Sequence, residues 1–197
     1  MIRNFKYLSI YNLINMDDIK ERLGEYRYNY FKNLQNYLET ELIFYGSVKR
    51  LDYFQNASDI DITIITDNVP SMLSKLKSVL NTSPNDVTKI YQKFHENNVV
   101  IKGYKIKYEN ENENLQFDML IYDIKYKEIV MENIRQINEL PFYIVSILFV
   151  IKVFYYILKI ISRSYYVYFK NTLFYIYFNK NFNLYNKNLN TTVILNI

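Results

Sequence analysis

Asp59 and Asp61 stand one residue apart at the head of an apolar, β-branched run, SDIDITIIT, and shortly before them the chain carries Gly46-Ser47 in FYGSVKR. On a strand side chains alternate, so the two carboxylates face the same way, at most about 7 Å apart, while Ile60 and Ile62 face the other way into a core. Like charges side by side repel and raise each other's pKa. A sheet gains nothing from that arrangement unless a cation sits between them. A hard divalent ion such as Mg²⁺ or Mn²⁺ takes carboxylate oxygens and keeps positions open for phosphate oxygens. Two such ions about 3.5–4 Å apart can clamp the attacking and leaving oxygens of a phosphoryl transfer. Gly46 lets backbone approach a ligand closely, and the N–H groups of such a turn suit an anionic phosphate. The Ser47 hydroxyl adds a donor, and Lys49 and Arg50 could neutralise the farther phosphates. The bland alternative makes Asp59 a loop-edge residue, puts Asp61 on a solvated face, and reads Lys49 and Arg50 as an ordinary wet turn.

The elements that must position these residues can be read from periodicity. From Asp17-Asp18, either of which can cap it, a helix is expected with Ile19, Leu23, Tyr26, Tyr30, Leu34, Tyr37 and Leu38 at helical spacing, weakened at Gly24. Leu42–Tyr45 reads as a short strand ending in the Gly46-Ser47 turn, and Ile60–Thr66 as a second strand. Pro70–Leu80 reads as a helix with Pro70 near its start. Val87–Phe94 and Val99–Tyr108 read as strands joined by a hairpin turn at His95-Glu-Asn-Asn, ENENEN (Glu109–Asn114) as a polar turn, and Leu115–Tyr122 as a further strand carrying Asp118. Lys102, Lys105 and Lys107 fit a solvated strand face better than a nucleic-acid path. His95 reads as a surface residue, and the abundance of tyrosine as core and compositional bias rather than a base-stacking platform.

The combination of YGS, an eleven-residue spacer and DIDI, followed by the aspartate of QFDML, resembles the signature of the polymerase-β-like nucleotidyltransferase superfamily over roughly residues 30–125. The resemblance implies an α+β fold, a small mixed sheet with flanking helices. It implies two-metal transfer of an NMP group from an NTP to an acceptor, with pyrophosphate leaving. By it, Asp59 and Asp61 ligate both ions, Asp118 ligates the catalytic ion and helps deprotonate the acceptor, and Gly46 and Ser47 hold the triphosphate. Asp123 is a rival for the third carboxylate but falls at a strand end. The acceptor, whether RNA, protein or small molecule, is not legible. A catalytically inactive module of the same fold, acting by protein or membrane binding, is the alternative.

Composition bounds the rest. The chain has 197 residues, half of them apolar, and no cysteine, which excludes disulfides and thiolate metal sites. One histidine excludes a His-rich metal cluster. The N-terminus lacks a continuous apolar core of signal-peptide length, so a cytoplasmic protein is expected. Residues 1–139 carry 18 Lys/Arg and 20 Asp/Glu, net −2, whereas residues 140–197 carry 6 Lys/Arg and no acid, net +6. This division suggests a nucleotidyltransferase-like part, 1–139, and an apolar, basic helical extension, 140–197. Phe142–Ile161 has the length of a membrane span, but Lys152 falls near its middle at a cost of at least about 2.5–3.5 kcal/mol. Placed on a helix, Lys152, Lys159, Arg163 and Lys170 form a single narrow stripe, a pattern that fits an amphipathic helix, or two in line, better than a clean single span. Three readings stand: packing on the catalytic domain or on a second copy, lying in a membrane interface, or spanning with snorkelling lysines. Asn179–Ile197, Asn-rich, is expected to fray.

Overall fold

The computed structural model describes residues 19–82, 86–94, 99–110 and 112–178. The caps at Asp17 and Asp18, the turn at His95–Asn98 and the Asn-rich end 179–197 lie outside the described residues.

The expected first helix is two helices. Helix α1, Lys20–Leu23, ends at Gly24, whose φ of 76° breaks the ladder, and α2 runs Glu25–Leu38. A side chain at Gly24 would also meet Gln55. Strand β1, Ile43–Tyr45, leads into a 3₁₀ turn over Gly46–Lys49, and β2 spans Ile60–Thr66. Helix α3, Val69–Leu80, starts where the Asn68 side chain accepts from Ser71 N–H, with Pro70 in its first turn, where a missing donor is harmless. Strands β3, Val87–Phe94, β4, Val99–Asn110, and β5, Leu115–Asp123, complete the sheet. Strand β4 extends two residues into the expected ENENEN turn. Helices α4, Lys127–Asn138, α5, Phe142–Lys152, and α6, Arg163–Phe178, follow.

The sheet order is β1-β2-β5-β4-β3; β2 and β5 are parallel and the other pairs antiparallel. This is the expected α+β architecture, a small mixed sheet between helices. One face carries Ile60, Ile62, Ile64, Phe117, Met119 and Ile121 into the core beneath α2 and α3, where Phe31 meets Phe44 and Phe117 edge-on at 5.3 Å. The other face carries Ile90, Ile101, Leu120 and Tyr122 against Val130 and Ile134 of α4. The period of two therefore puts Asp61 and Asp118 on the α4 face.

The single charged stripe expected across residues 152–170 does not form, because the helix does not continue. After α5 the backbone widens into a π-helical turn, Val153–Ile157, and Lys159 adopts a left-handed φ of 53°. Helix α6 then packs back on α5 through a small core of Ile144, Val145, Leu148 and Phe174. Helix α5 is also tied to the preceding part of the chain, where Lys152 Nζ meets Asp52, as the packing reading expects. Among the described residues no single helix is long and apolar enough to cross a membrane. The segments Ile124–Asn138 and Phe142–Ile157 pass that test only as a pair bent by 73°.

Candidate active site

Strand β2 lies beside β5 in a register that makes Asp61 and Asp118 direct neighbours, and Tyr45 at the end of β1 is the partner of Asp61 on the other side. Asp59 sits one residue before β2. All three aspartates line one cavity of about 310 Å³, floored by the Gly46-Ser47 turn and roofed by α5 and α6. Parallel pairing explains why residues 57 apart in sequence meet: it aligns the two strands in the same direction, so equivalent positions present side chains to one point.

Gly46 is required twice over. Its φ is 75°, and a Cβ there would lie 2.5 Å from Asp61 Oδ2. Gly46→Ala is therefore expected to lower stability by about 1–2 kcal/mol through the left-handed backbone and to displace Asp61 as well. Thermal melting paired with a transfer assay would show a loss of activity larger than the loss of stability explains. Equal activity in the variant would count against a role for this contact.

The carboxylates share one electrostatic neighbourhood. Burial pushes Asp61 up to about 6; Lys170 opposes the rise, while the charges of Asp118 and Asp59 add to it. Asp59 lies on an exposed loop edge, but desolvation of its carboxyl at the cavity raises it too, with Asp118 adding and Lys170, Lys107 and Lys105 opposing. Lys105 Nζ lies 2.5 Å from Asp118 Oδ2, and Asp118 Oδ1 is buried without a hydrogen-bond partner.

Other expected participants have different surroundings. The Gly46 N–H, expected to face a phosphate, donates instead to Asn138 Oδ1 at 2.9 Å. Ser47 is buried at the cavity floor. Lys49 lies in the 3₁₀ turn and does not line the cavity. Arg50 is committed elsewhere: Nε and Nη2 donate to the two oxygens of Asp52, and Nη1 donates to the Ile137 carbonyl. Asp52 also receives Lys152 of α5, whose Nζ is 3.0 Å from Oδ2 and 2.8 Å from the Asp52 carbonyl oxygen. Asp123, the rival carboxylate, accepts from Lys125 N–H at an exposed helix start and is not at the cavity.

The cavity also contains residues that sequence reasoning assigned elsewhere. Lys170, Tyr156 and Tyr166 line it from the extension. Lys105 lines it from β4, where strand alternation alone suggested a wet face. Lys105, on an alternating strand, carried no signal of this; Lys170, a lone charge within the aromatic run of α6, did.

The profile of the nucleotidyltransferase domain family matches residues 29–149. The chain belongs to that family. The match covers Gly46, Ser47 and all three aspartates, and stops before α6. No curated protein matches the sequence. A solved structure of Cid1, an RNA terminal uridylyl transferase, aligns with 13% identity and a TM-score of 0.35, over 71% of this chain and 40% of its own. Family membership supports nucleotidyl transfer as the chemistry of this nucleotidyltransferase domain.

Divalent metal is usual in nucleotidyltransferases, and the donor set here suits it: three hard carboxylates converge on one cavity, and one buried Asp118 oxygen has no partner. As they stand, no three acidic side chains among the described residues enclose an ion-sized space, and Lys105 is on Asp118.

Proposed function

We propose that this nucleotidyltransferase domain moves an NMP group from an NTP to an acceptor hydroxyl or amine, releasing pyrophosphate, with Asp59, Asp61 and Asp118 as the catalytic carboxylates. The observation that carries this reading is the β2–β5 register, which brings Asp61 beside Asp118 at the floor turn. The three aspartates would hold two Mg²⁺ or Mn²⁺ ions. Those ions, when bound, supply neutralisation of charge at the attacking and leaving oxygens.

The chain's own residues do the rest. Asp118 takes the acceptor's proton as the acceptor's oxygen or nitrogen attacks the α-phosphorus, and the bond from that phosphorus to the oxygen bridging it to the β-phosphate breaks, so that pyrophosphate leaves. Ser47 donates its hydroxyl to the triphosphate. Lys170 and Lys105 supply the positive charge assigned at first to Lys49 and Arg50, because those two lysines line the cavity. Helices α5 and α6 roof the site and exclude water, which strengthens every charge interaction inside. Such catalysis is mostly positioning and electrostatics. The reading places the protein in the cytoplasm, where NTPs are abundant.

The inactive-module alternative keeps one observation in its favour. The outer side of α5, α6 and the link between them exposes Phe142 at 74%, Ile160 at 68% and Ile176 at 69%, an apolar surface beyond what a catalytic roof needs.

The test incubates the full chain with each α-labelled NTP, Mg²⁺ or Mn²⁺, and a host-cell extract as source of acceptor, with Asp59→Ala/Asp61→Ala as control. Label transferred by the wild type alone supports the enzyme, and the labelled band names the acceptor class. A folded wild type that neither transfers label nor binds Mg²⁺–NTP would leave the binding module.

A further inference from the structure

The three aspartates face two ammonium groups, Lys105 and Lys170; the other charges at the cavity, Arg50, Lys152 and Asp52, pair among themselves. Three carboxylates against two lysines give −1, and Arg50 and Lys152 against Asp52 add +1, so the charges lining the site balance before any ligand arrives and a single ion of charge +2 leaves it positive. The pairing at Asp118 is specific. In the β4–β5 ladder the residue directly opposite Asp118 is Lys107, and Lys105 stands opposite Leu120. Lys107 nevertheless pairs with Glu109 at 3.6 Å, and the diagonal Lys105 takes Asp118. Lys105 and Asp118 are 30% and 19% exposed, whereas Lys107 and Glu109 are 45% and 53% exposed. The inner pair is thus the less screened of the two. The ammonium occupies one oxygen of Asp118 and leaves the other, Oδ1, buried and unpartnered.

Resting on the nucleotidyl-transfer reading, we propose that Lys105 is a built-in counter-cation: its ammonium holds Asp118 in the free protein, keeps a divalent ion off that carboxylate, and passes to a nucleotide phosphate when the triphosphate enters. Metal and nucleotide then bind as a unit. A lysine suits this task better than an arginine, because its charge is compact and its four-carbon stem flexible. The triphosphate provides what the ammonium needs on leaving Asp118, so nucleotide raises metal affinity and metal raises nucleotide affinity by the same factor.

The test is Mn²⁺ binding to the full chain, read by electron paramagnetic resonance with and without a non-hydrolysable NTP analogue. Wild type is expected to bind Mn²⁺ weakly alone and tightly with the analogue. Lys105→Met is expected to bind Mn²⁺ alone about tenfold or more tightly than wild type, within the roughly 5- to 150-fold range of coupled sites, and to lose the same factor of nucleotide dependence. Lys105→Gln, which retains a polar side chain, checks the same gain should the methionine variant fold poorly. Lys107→Met removes an equal charge and is expected to change the affinity by less than about threefold, since its screened charge is paired elsewhere. Asp118→Asn in the Lys105→Met background is expected to abolish the gain. Equal Mn²⁺ affinity of wild type and both Lys105 variants without nucleotide, with Asp59→Ala/Asp61→Ala abolishing it in each, overturns the role of Lys105 alone. No Mn²⁺ binding by any of them, with or without the analogue, overturns the nucleotidyl-transfer reading along with it.

Discussion

Asp61→Asn is expected to reduce nucleotidyl transfer about a thousandfold or more, roughly 4 kcal/mol of transition-state stabilisation, while making the ligand-free protein more stable. The two effects share one cause. Asp61 is a half-buried carboxylate between Asp59 and Asp118, with the Gly46 turn pressed against it. Burial holds its pKa near 6, above the ordinary carboxylate value. Because the folded value lies above the unfolded one, the protonated form favours the fold. Without ions or nucleotide, stability should therefore rise as the pH falls from about 6 toward 4. An amide has the neutral carboxyl's shape and avoids the cost of the buried charge at neutral pH, about 1–3 kcal/mol. It cannot supply that charge to a cation, so the activity goes. Thermal melts at pH 7 should cross: the variant melts higher alone, and wild type gains more from Mg²⁺–NTP. A variant that melts lower than wild type without ligand, or that transfers label at the wild-type rate, would refute this account of the residue.

Asp52→Asn is expected to destabilise the protein by about 3–5 kcal/mol, the range for breaking a buried ion pair by removing one partner. Asp52 is fully buried and compensates two cations at once, Arg50 from the floor turn and Lys152 from α5. The bidentate guanidinium and the ammonium hold its carboxyl below the usual range against the opposing effect of burial. The contribution of Asp52 is therefore present above its unfolded value and is lost as the pH falls through the folded one. Lys152 is pushed down to about 8 by burial, with Asp52 opposing. The amide would leave both cations without their counter-charge. Lys152→Met should cost less, because the Arg50–Asp52 pair survives and the thioether can occupy the lysine stem's space. Urea unfolding of the two variants would rank them, and a Lys152→Met loss equal to that of Asp52→Asn would show that Arg50 is not the partner that matters. Asp52→Asn is also expected to loosen α5 and α6 from the cavity, since Lys152 is the charged tie between them and the loop before β2.

The sequence alone determined the strands and the floor turn, because these depend on local patterns. The alternation in IDITIIT and LQFDMLIY sets which side chains face together, and glycine before serine marks a turn that tolerates positive φ. The spacing of YGS, DIDI and QFDML therefore pointed to the aspartates before any contact was known. Gly24 was visible as a weak point, but a helix pattern cannot tell a tolerated glycine from a break, and the left-handed φ of 76° at Gly24 makes it a break.

Only the tertiary structure decided the charge partners. Lys152 was legible as a costly lysine in an apolar run; its partner Asp52, 100 residues away, was not, since nothing local links them. Arg50 looked like a phosphate ligand because it follows the turn, yet Asp52 two residues on takes its guanidinium. Lys105 looked solvated because β4 alternates, and it became a cavity residue because β4 pairs with β5 in one particular register. The stripe expected across residues 152–170 presumed one helix, or two in line. The break at Lys159 folds α6 back and brings Lys170 over the aspartates. Local periodicity records which way a side chain points from its own backbone; strand register and helix breaks, which arise from contacts distant in sequence, decide what it meets there.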